Sequence, residues 1–372
     1  MPPPSALGPE PRSFGYGWIS GMLGLFLGSA SLLAVLCFHF PELFTTPELR
    51  AVLPLPWVRR SLAASIALAF VLAALSLALR RRKLLGSAGL ATALLAVLLG
   101  GAGVPATEGV QQTVFLGLDW FVLSALLTAL VFVPLERAFP LRPEQRVLRD
   151  EWATDLKWFT ASHLLVQLLG LLVVMPATQL ARWLSIPALR EGIAALPLVA
   201  QLPISLLVAD LVQYGVHRAF HRVPSLWRFH RVHHASTAMD WLAGSRLHLV
   251  DIVATRGAVL AALLACGFST ATLGIYLAWV GFHAVFVHAN FAPRLAWLEP
   301  WLATPRYHHW HHAADEAARD KNFAIHLPCI DALFGTRYLP PNAWPQGYGL
   351  LGEAAPRGFW RQLLLLRDPR RG

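Results

Sequence analysis

The sequence predicts an all-α protein: a polytopic membrane bundle of helices that carries a histidine-rich helical cap. Its 372 residues are 56% hydrophobic and only 14% charged, whereas soluble domains carry about one quarter charged residues. The apolar residues are gathered in long stretches, and a helix of about 20 residues crosses roughly 30 Å of hydrocarbon. Both observations indicate an integral, multi-pass membrane protein.

Six long apolar stretches follow one another along the chain. One such stretch could be a buried helix of a soluble protein, but six in series indicate membrane spans. The predicted spans are 17–40, 61–79, 84–104, 118–133, 159–181 and 196–216. The first is too long to be a cleaved signal peptide. The first four have no charge in their interiors, so we expect them to serve in anchoring, substrate access or oligomer contacts rather than in transport.

The basic residues that give the net charge of +10 predict the orientation of these spans. They cluster in 80–83, 137–157 and 218–231. Lysine and arginine accumulate on the cytoplasmic side of membranes, and an N-terminus inside places all three clusters there. The cap is therefore expected on the cytoplasmic face. Because these charges flank spans, we do not expect nucleic-acid binding.

The next apolar region, 256–288, is interrupted at Gly267-Phe268-Ser269-Thr270. A single span would carry the histidines that follow it to the opposite side of the membrane. Metal ligands cannot be divided across a bilayer, so a helical hairpin that turns near Gly267 is expected.

Histidines at helical spacing indicate a metal centre in the second half of the chain. Side chains three or four residues apart lie on one helix face, and neutral imidazole is a common ligand of first-row metals. Ten histidines exceed the needs of one zinc ion and suit two metals. Ligand type alone leaves iron, copper and zinc open. The expected ligands are His217, His221, His230, His233, His234, His248, His288, His308, His311 and His312.

Carboxylates near these histidines could accept hydrogen bonds from the imidazole N–H groups that face away from a metal. Asp210, Asp240 and Asp251 are the candidates. Asp210 is also compatible with a simple charge at the end of a helix.

The chain resembles the fatty acid hydroxylase/sterol desaturase superfamily over about residues 149–340. The motifs that carry the resemblance are His217–His221, His230–His234, Ser245–His248, Val287–Asn290, Thr304–His312, Asn322-Phe323 and Asp331–Thr336. The resemblance implies an integral membrane di-iron enzyme that hydroxylates or desaturates a fatty acyl chain, a sterol, a carotenoid or an ether lipid with O2.

The resemblance also implies roles for individual residues. It assigns the eight histidines of the three main boxes to metal binding. His288 stands where many members have a histidine before a small residue and asparagine. His248 matches an Arg-x-His motif in which Leu249 replaces the usual proline, and His283 competes with it for the tenth position. Supporting roles beside the ligands fall to Asp210, His283, His309, Asn290 and Asn322.

The expected cofactors are two iron ions, or zinc by misloading, together with O2 and an external electron donor. No nicotinamide, flavin or iron–sulfur motif is visible, so a separate reductase or a carrier such as a ferredoxin or a cytochrome b5-like protein is the expected partner of the lipid hydroxylase. The alternatives are a membrane metal-binding or transport protein and a zinc-dependent hydrolase that uses the same histidines.

Four regions are expected. They are a disordered tail at 1–14, accessory membrane helices at 15–140, a catalytic domain at 141–340 and an interfacial tail at 341–372, in which 359–367 forms a short helix.

Overall fold

The structure, a computed structural model, describes residues 15–46, 54–105, 117–164, 166–352 and 356–365. The predicted tail at 1–14 lies outside these residues. The described chain is helical and contains no strand, only two isolated bridges. It divides into two compact units, Met1–Ala125 and Leu126–Gly372. The prediction of an all-α fold is confirmed.

Three closely packed helices dominate the first unit: α1 (Trp18–His39), α3 (Leu55–Leu79) and α4 (Leu84–Leu98). The short helix α2 (Pro41–Phe44) follows α1. Glycines allow the backbones to approach, because a Cβ atom on Gly24 would lie 2.8 Å from the backbone nitrogen of Ala73. Small residues at such crossings are typical of membrane helices.

Seven described helices are long and apolar enough to cross a membrane. Besides α1, α3 and the α4 region, these are α5 (Leu118–Ala138), α9 (Leu198–Arg222), α11 (Leu249–Cys266) and α12 (Thr270–His288). The protein is therefore an integral, multi-pass membrane protein, as predicted.

The predicted hairpin is formed by α11 and α12. Gly267 ends α11 in the left-handed region, with a φ of 84°, and Ser269 begins α12 by accepting a hydrogen bond from the Thr272 amide. Glycine is the residue that adopts this conformation without strain. The hairpin is longer than predicted, since α11 begins at Leu249 rather than near residue 256.

The span predicted at 159–181 is divided between two helices in the structure. Its described residues belong to α6 (Trp152–Leu164) and α7 (Val166–Leu184). The apolar part of α7 then bends by 111° into α8 (Pro187–Ala194). Proline cannot continue a helix and is favoured at its first turn, so Pro187 begins the new direction.

Four short helices complete the second unit: α10 (Pro224–His230), α13 (Pro305–His311), α14 (Pro328–Leu333) and α15 (Phe359–Leu363). A short helix was predicted at 359–367, and α15 covers the first five of these residues, whereas residues 366 and 367 lie outside the described chain. The side chain of Trp360 is 66% exposed, which is typical of an aromatic residue at a membrane interface.

Candidate metal centre

Nine histidines converge in two neighbouring groups. The ligand nitrogens within each group lie within 4.8 Å of one another. The first group contains His217, His221, His230, His234 and His311, and the second contains His233, His288, His308 and His312. Nine of the ten predicted ligands are thus brought together.

The ends of several helices supply these side chains. His217 and His221 lie one turn apart in the last turns of α9, and α10 ends at His230. The second half of the centre comes from the end of α12 and from α13. Thr304 caps α13 by accepting from the Tyr307 amide, and Pro305 occupies its first position. Helix ends allow side chains from distant parts of the sequence to meet at one point.

In the first group, the Nε2 atoms point toward one another, and they lack the hydrogen atoms that would let them form hydrogen bonds with each other. The Nε2 atoms of His217 and His230 are 3.1 Å apart. The Nε2 atoms of His221, His234 and His311 are buried and make no hydrogen bond with any described residue. Buried polar atoms normally have a partner. Five converging imidazole nitrogens therefore fit a metal cation.

In the second group, the Nε2 atoms of the imidazoles also converge. The Nε2 atom of His308 lies 3.1 Å from those of His288 and His312, and the Nε2 atom of His233 lies 3.4 Å from that of His288. Four imidazoles with their lone pairs directed inward fit a second cation.

The opposite ring nitrogen of several of these histidines is anchored to a backbone carbonyl, which fixes the tautomer of those rings. The Nδ1–H of His217 donates to the Phe323 carbonyl at 2.7 Å, and that of His311 donates to the Lys321 carbonyl at 2.8 Å. In the second group, His288 donates to the Ala284 carbonyl at 2.6 Å. A hydrogen atom on Nδ1 leaves the Nε2 lone pair available for a metal.

Two carboxylates support the first group. Asp251, one of the predicted candidates, receives the Nδ1–H of His230 at 2.5 Å. Asp320 lies 3.4 Å from Nδ1 of His221. A carboxylate behind a ligating imidazole orients the ring and raises its basicity. Asp320 was missed in the sequence, where only its position two residues before the Asn322-Phe323 motif could have indicated it.

Burial favours the neutral form of several of these imidazoles. It lowers the pKa of His233, His234 and His312 well below the usual value, and neighbouring histidines lower it further. Since a protonated imidazole has no lone pair to donate, neutral rings are the form that binds metal.

Asp331 organises the loop behind the first group. Its carboxylate accepts hydrogen bonds from the amides of Phe323 and Ala324 at 2.9 and 2.7 Å, and from the hydroxyl groups of Tyr307 and Thr336 at 2.7 and 2.6 Å. The Phe323 carbonyl in turn holds His217. One buried carboxylate therefore fixes a ligand that lies more than 100 residues away in the sequence.

A buried ionic network supports the second group. Arg246 is fully buried and donates to Asp155 at 2.6 Å, and Arg149 bridges Asp155 and Asp240. The Arg246 carbonyl accepts from Nδ1 of His233 at 3.2 Å. The sequence had suggested that Asp240 accepts a hydrogen bond from a ligating histidine. In the structure, Asp240 acts through arginine instead.

His248 lies outside both groups. Its Nδ1 atom accepts from the Val250 amide and caps α11, and its Nε2 atom faces the Leu363 carbonyl at 3.1 Å. His283, its competitor for the tenth position, faces the Ala303 carbonyl and His326 instead. The structure therefore places no tenth histidine among the described groups.

The other predicted supporting residues hold the backbone. Asp210 lies about two turns before His217 on the same face of α9, and it accepts from the amides of residues 325–327 rather than from a ligating ring. Asn290 pairs with the backbone of Arg142. Asn322 bonds the backbones of Tyr307 and Tyr338. The Nδ1 atom of His309 lies 2.9 Å from the Tyr348 hydroxyl oxygen.

Comparison with known proteins agrees with this centre. A family model described as fatty acid hydroxylase matches residues 202–336, which include all nine histidines. The chain is 32% identical over 171 residues to the ornithine lipid hydroxylase OlsE of Rhizobium tropici, which covers 45% of this chain and 50% of that protein.

Two further relatives come from eukaryotes. The identity to alkylglycerol monooxygenase of Homo sapiens is 28%, over 35% of this chain and 29% of the relative. The identity to methylsterol monooxygenase 1-2 of Arabidopsis thaliana is 29%, over 45% and 57%. The chain thus spans less than two thirds of the length of these relatives. No solved structure matches.

The predicted resemblance is confirmed by the matched segment and by these relatives. Both histidine groups lie within that segment. This segment of the chain is similar to the fatty acid hydroxylase family, in agreement with the motifs that predicted the resemblance.

Proposed function

We propose that the protein is an O2-dependent oxidoreductase that hydroxylates or desaturates a lipid, with two iron ions held by nine histidines. The observation that carries this proposal is the pair of buried histidine groups, in each of which the ligand nitrogens lie within 4.8 Å of one another. The named relatives are lipid hydroxylases or monooxygenases, which supports the same class of reaction.

The chain's own residues bind and orient the metals. The five-histidine group and the four-histidine group would each hold one iron, and the backbone carbonyls, Asp251 and Asp320 keep the imidazoles in the binding tautomer. Two iron ions bound there would supply the activation of O2 next to a lipid C–H bond.

The balance of the reaction requires an external reductant. In a hydroxylation, one oxygen atom of O2 enters the C–H bond and the other leaves as water, which consumes two electrons and two protons. No redox cofactor motif is visible in the sequence, so we propose a separate reductase or a carrier such as a ferredoxin or a cytochrome b5-like protein. We also propose that the centre faces the cytoplasm, as the positive charges between the spans predict.

Lipid analysis of a host that expresses the protein tests this function. Wild-type protein should produce lipid species heavier by one oxygen atom, or lighter by two hydrogen atoms, and His233→Ala should not. The imidazole of His233 faces the second group, so its loss opens that metal site. Identical lipid profiles for the two, with iron present and reductant supplied, would contradict the proposal.

A further inference from the structure

Arg256 is a cation inside an apolar membrane helix. It lies in α11, the eighth of that helix's 18 residues. A charged residue near the centre of a span costs about 3 kcal/mol or more, and such residues usually mark a functional site. The sequence prediction placed Arg256 at the start of the hairpin; the structure places it within the helix.

The position of Arg256 on the helix shows which way it projects. Ile252, Val259 and Leu263 share its face at i−4, i+3 and i+7, and these three are only 2, 6 and 1% exposed. Arg256 is nevertheless exposed. The long Arg256 side chain therefore reaches the protein surface from a helix face whose other members are buried.

Arg256 has no counter-ion in the described chain. It makes no hydrogen bond or ion pair with any residue that the structure describes, although its charge acts on His163 of α6 and on Tyr276 of α12. Within the part of the chain that the structure describes, nothing neutralises the guanidinium, and an anion from outside the chain would do so.

The helix connects this arginine to the metal centre. Asp251 on the same helix holds His230, and Thr255 donates to Asp251 at 3.1 Å. Arg256 lies five positions after Asp251, which is about 7.5 Å along the helix axis and about 140° around it. A group bound at Arg256 would thus lie farther along the span than Asp251, on another face of α11.

We infer that Arg256 binds an oxyanion, a carboxylate or a phosphate, of the lipid substrate. A guanidinium binds such groups through two parallel hydrogen bonds, and the acyl chain attached to the anion would extend beside the histidine groups. The inference rests on the proposed function, since it names the class of lipid that the same site accepts. The distance between the anion and the metals would select the carbon that reacts.

Binding of fluorescent lipids to the purified full-length protein tests this inference. Three probes carry the same chain: a long-chain fatty acid, its methyl ester and a phosphatidic acid. Without reductant there is no turnover, so the assay reports binding alone. Wild-type protein should bind at least one acidic probe about tenfold or more tightly than the ester.

Arg256→Gln should remove that preference and leave ester binding unchanged, which also shows that the variant folds. Arg256→Lys should keep part of the preference. The control is Arg182→Gln, which removes an exposed arginine from the last turn of α7. This variant should keep the full preference for the acidic probe over the ester.

The probes also distinguish the source of the anion. A preference for the fatty acid assigns the site to a carboxylate, and a preference for the phosphatidic acid alone assigns it to a phosphate. Equal binding of acids and ester by wild type, or an undiminished preference in Arg256→Gln, would overturn the inference. Lipid oxidation by wild type could persist in either case, so failure here differs from failure of the proposed function.

Discussion

Replacing His311 by alanine is expected to abolish lipid oxidation and to lower the metal content of the purified protein. His311 belongs to the five-histidine group, its Nε2 atom is buried without a hydrogen-bond partner in the described chain, and its Nδ1 atom is held by the Lys321 carbonyl. Removing it deletes one inward lone pair and opens a position in the group. Activity assays with reductant and metal analysis of the same preparation measure both effects.

His248→Ala is the matched control for this prediction. Both of its ring nitrogens face backbone atoms outside the histidine groups, so the variant should keep its metal and most of its activity. It should lose about 1 kcal/mol of stability through the missing cap of α11. If His248→Ala lost metal while His311→Ala kept it, the assignment of the nine histidines would be wrong.

Asp331→Ala is expected to have the largest effect on stability. The substitution leaves two buried amides and two buried hydroxyl groups without their acceptor. Unsatisfied buried polar groups cost about 1–3 kcal/mol each. The free energy of unfolding should therefore fall by about 4 kcal/mol or more. The loss also frees Phe323, whose carbonyl holds His217, so less metal should be bound.

Thermal unfolding of the detergent-solubilised protein, followed by circular dichroism, measures the loss. Asp315→Ala provides the control, because Asp315 is exposed and accepts one amide hydrogen bond at the start of a short 3-10 turn. It should cost about 1 kcal/mol or less. An equal effect of the two substitutions would contradict the role given to Asp331.

The spans and the hairpin could be predicted because composition and a single glycine determine them. Apolar length predicts a crossing helix, and Gly267 supplies the left-handed residue at which the chain turns back. The bend between α7 and α8 could not be predicted in the same way. Pro187 marks where the new helix begins, but the direction of α8 depends on tertiary contacts, such as that of Arg190 with the Leu264 carbonyl.

The metal centre could be predicted as a set of residues but not as two groups. His233 and His234 are neighbours in the sequence, yet one joins the four-histidine group and the other the five-histidine group. Spacing cannot reveal such a division, because it depends on how the turn at 233–235 lies between α10 and α13.

Carboxylate roles depended on tertiary structure for the same reason. Asp210 and Asp251 both lie near histidines in the sequence, but only Asp251 contacts a ligating ring. At the Arg246–His248 motif, the carbonyl of Arg246 supports a ligand, and the His248 ring points elsewhere. Sequence patterns therefore locate the segment that supports the metal centre, and the fold determines which of its atoms contacts a ligating histidine.

Metal analysis of the purified wild-type protein tests the central claim most directly. Two histidine groups predict close to two metal ions per chain, as iron or, after misloading, as zinc. The protein concentration should be determined by amino-acid analysis, so that the ratio does not depend on a dye. Two ions per chain would agree with the two groups, whereas a value near one would contradict a dinuclear centre.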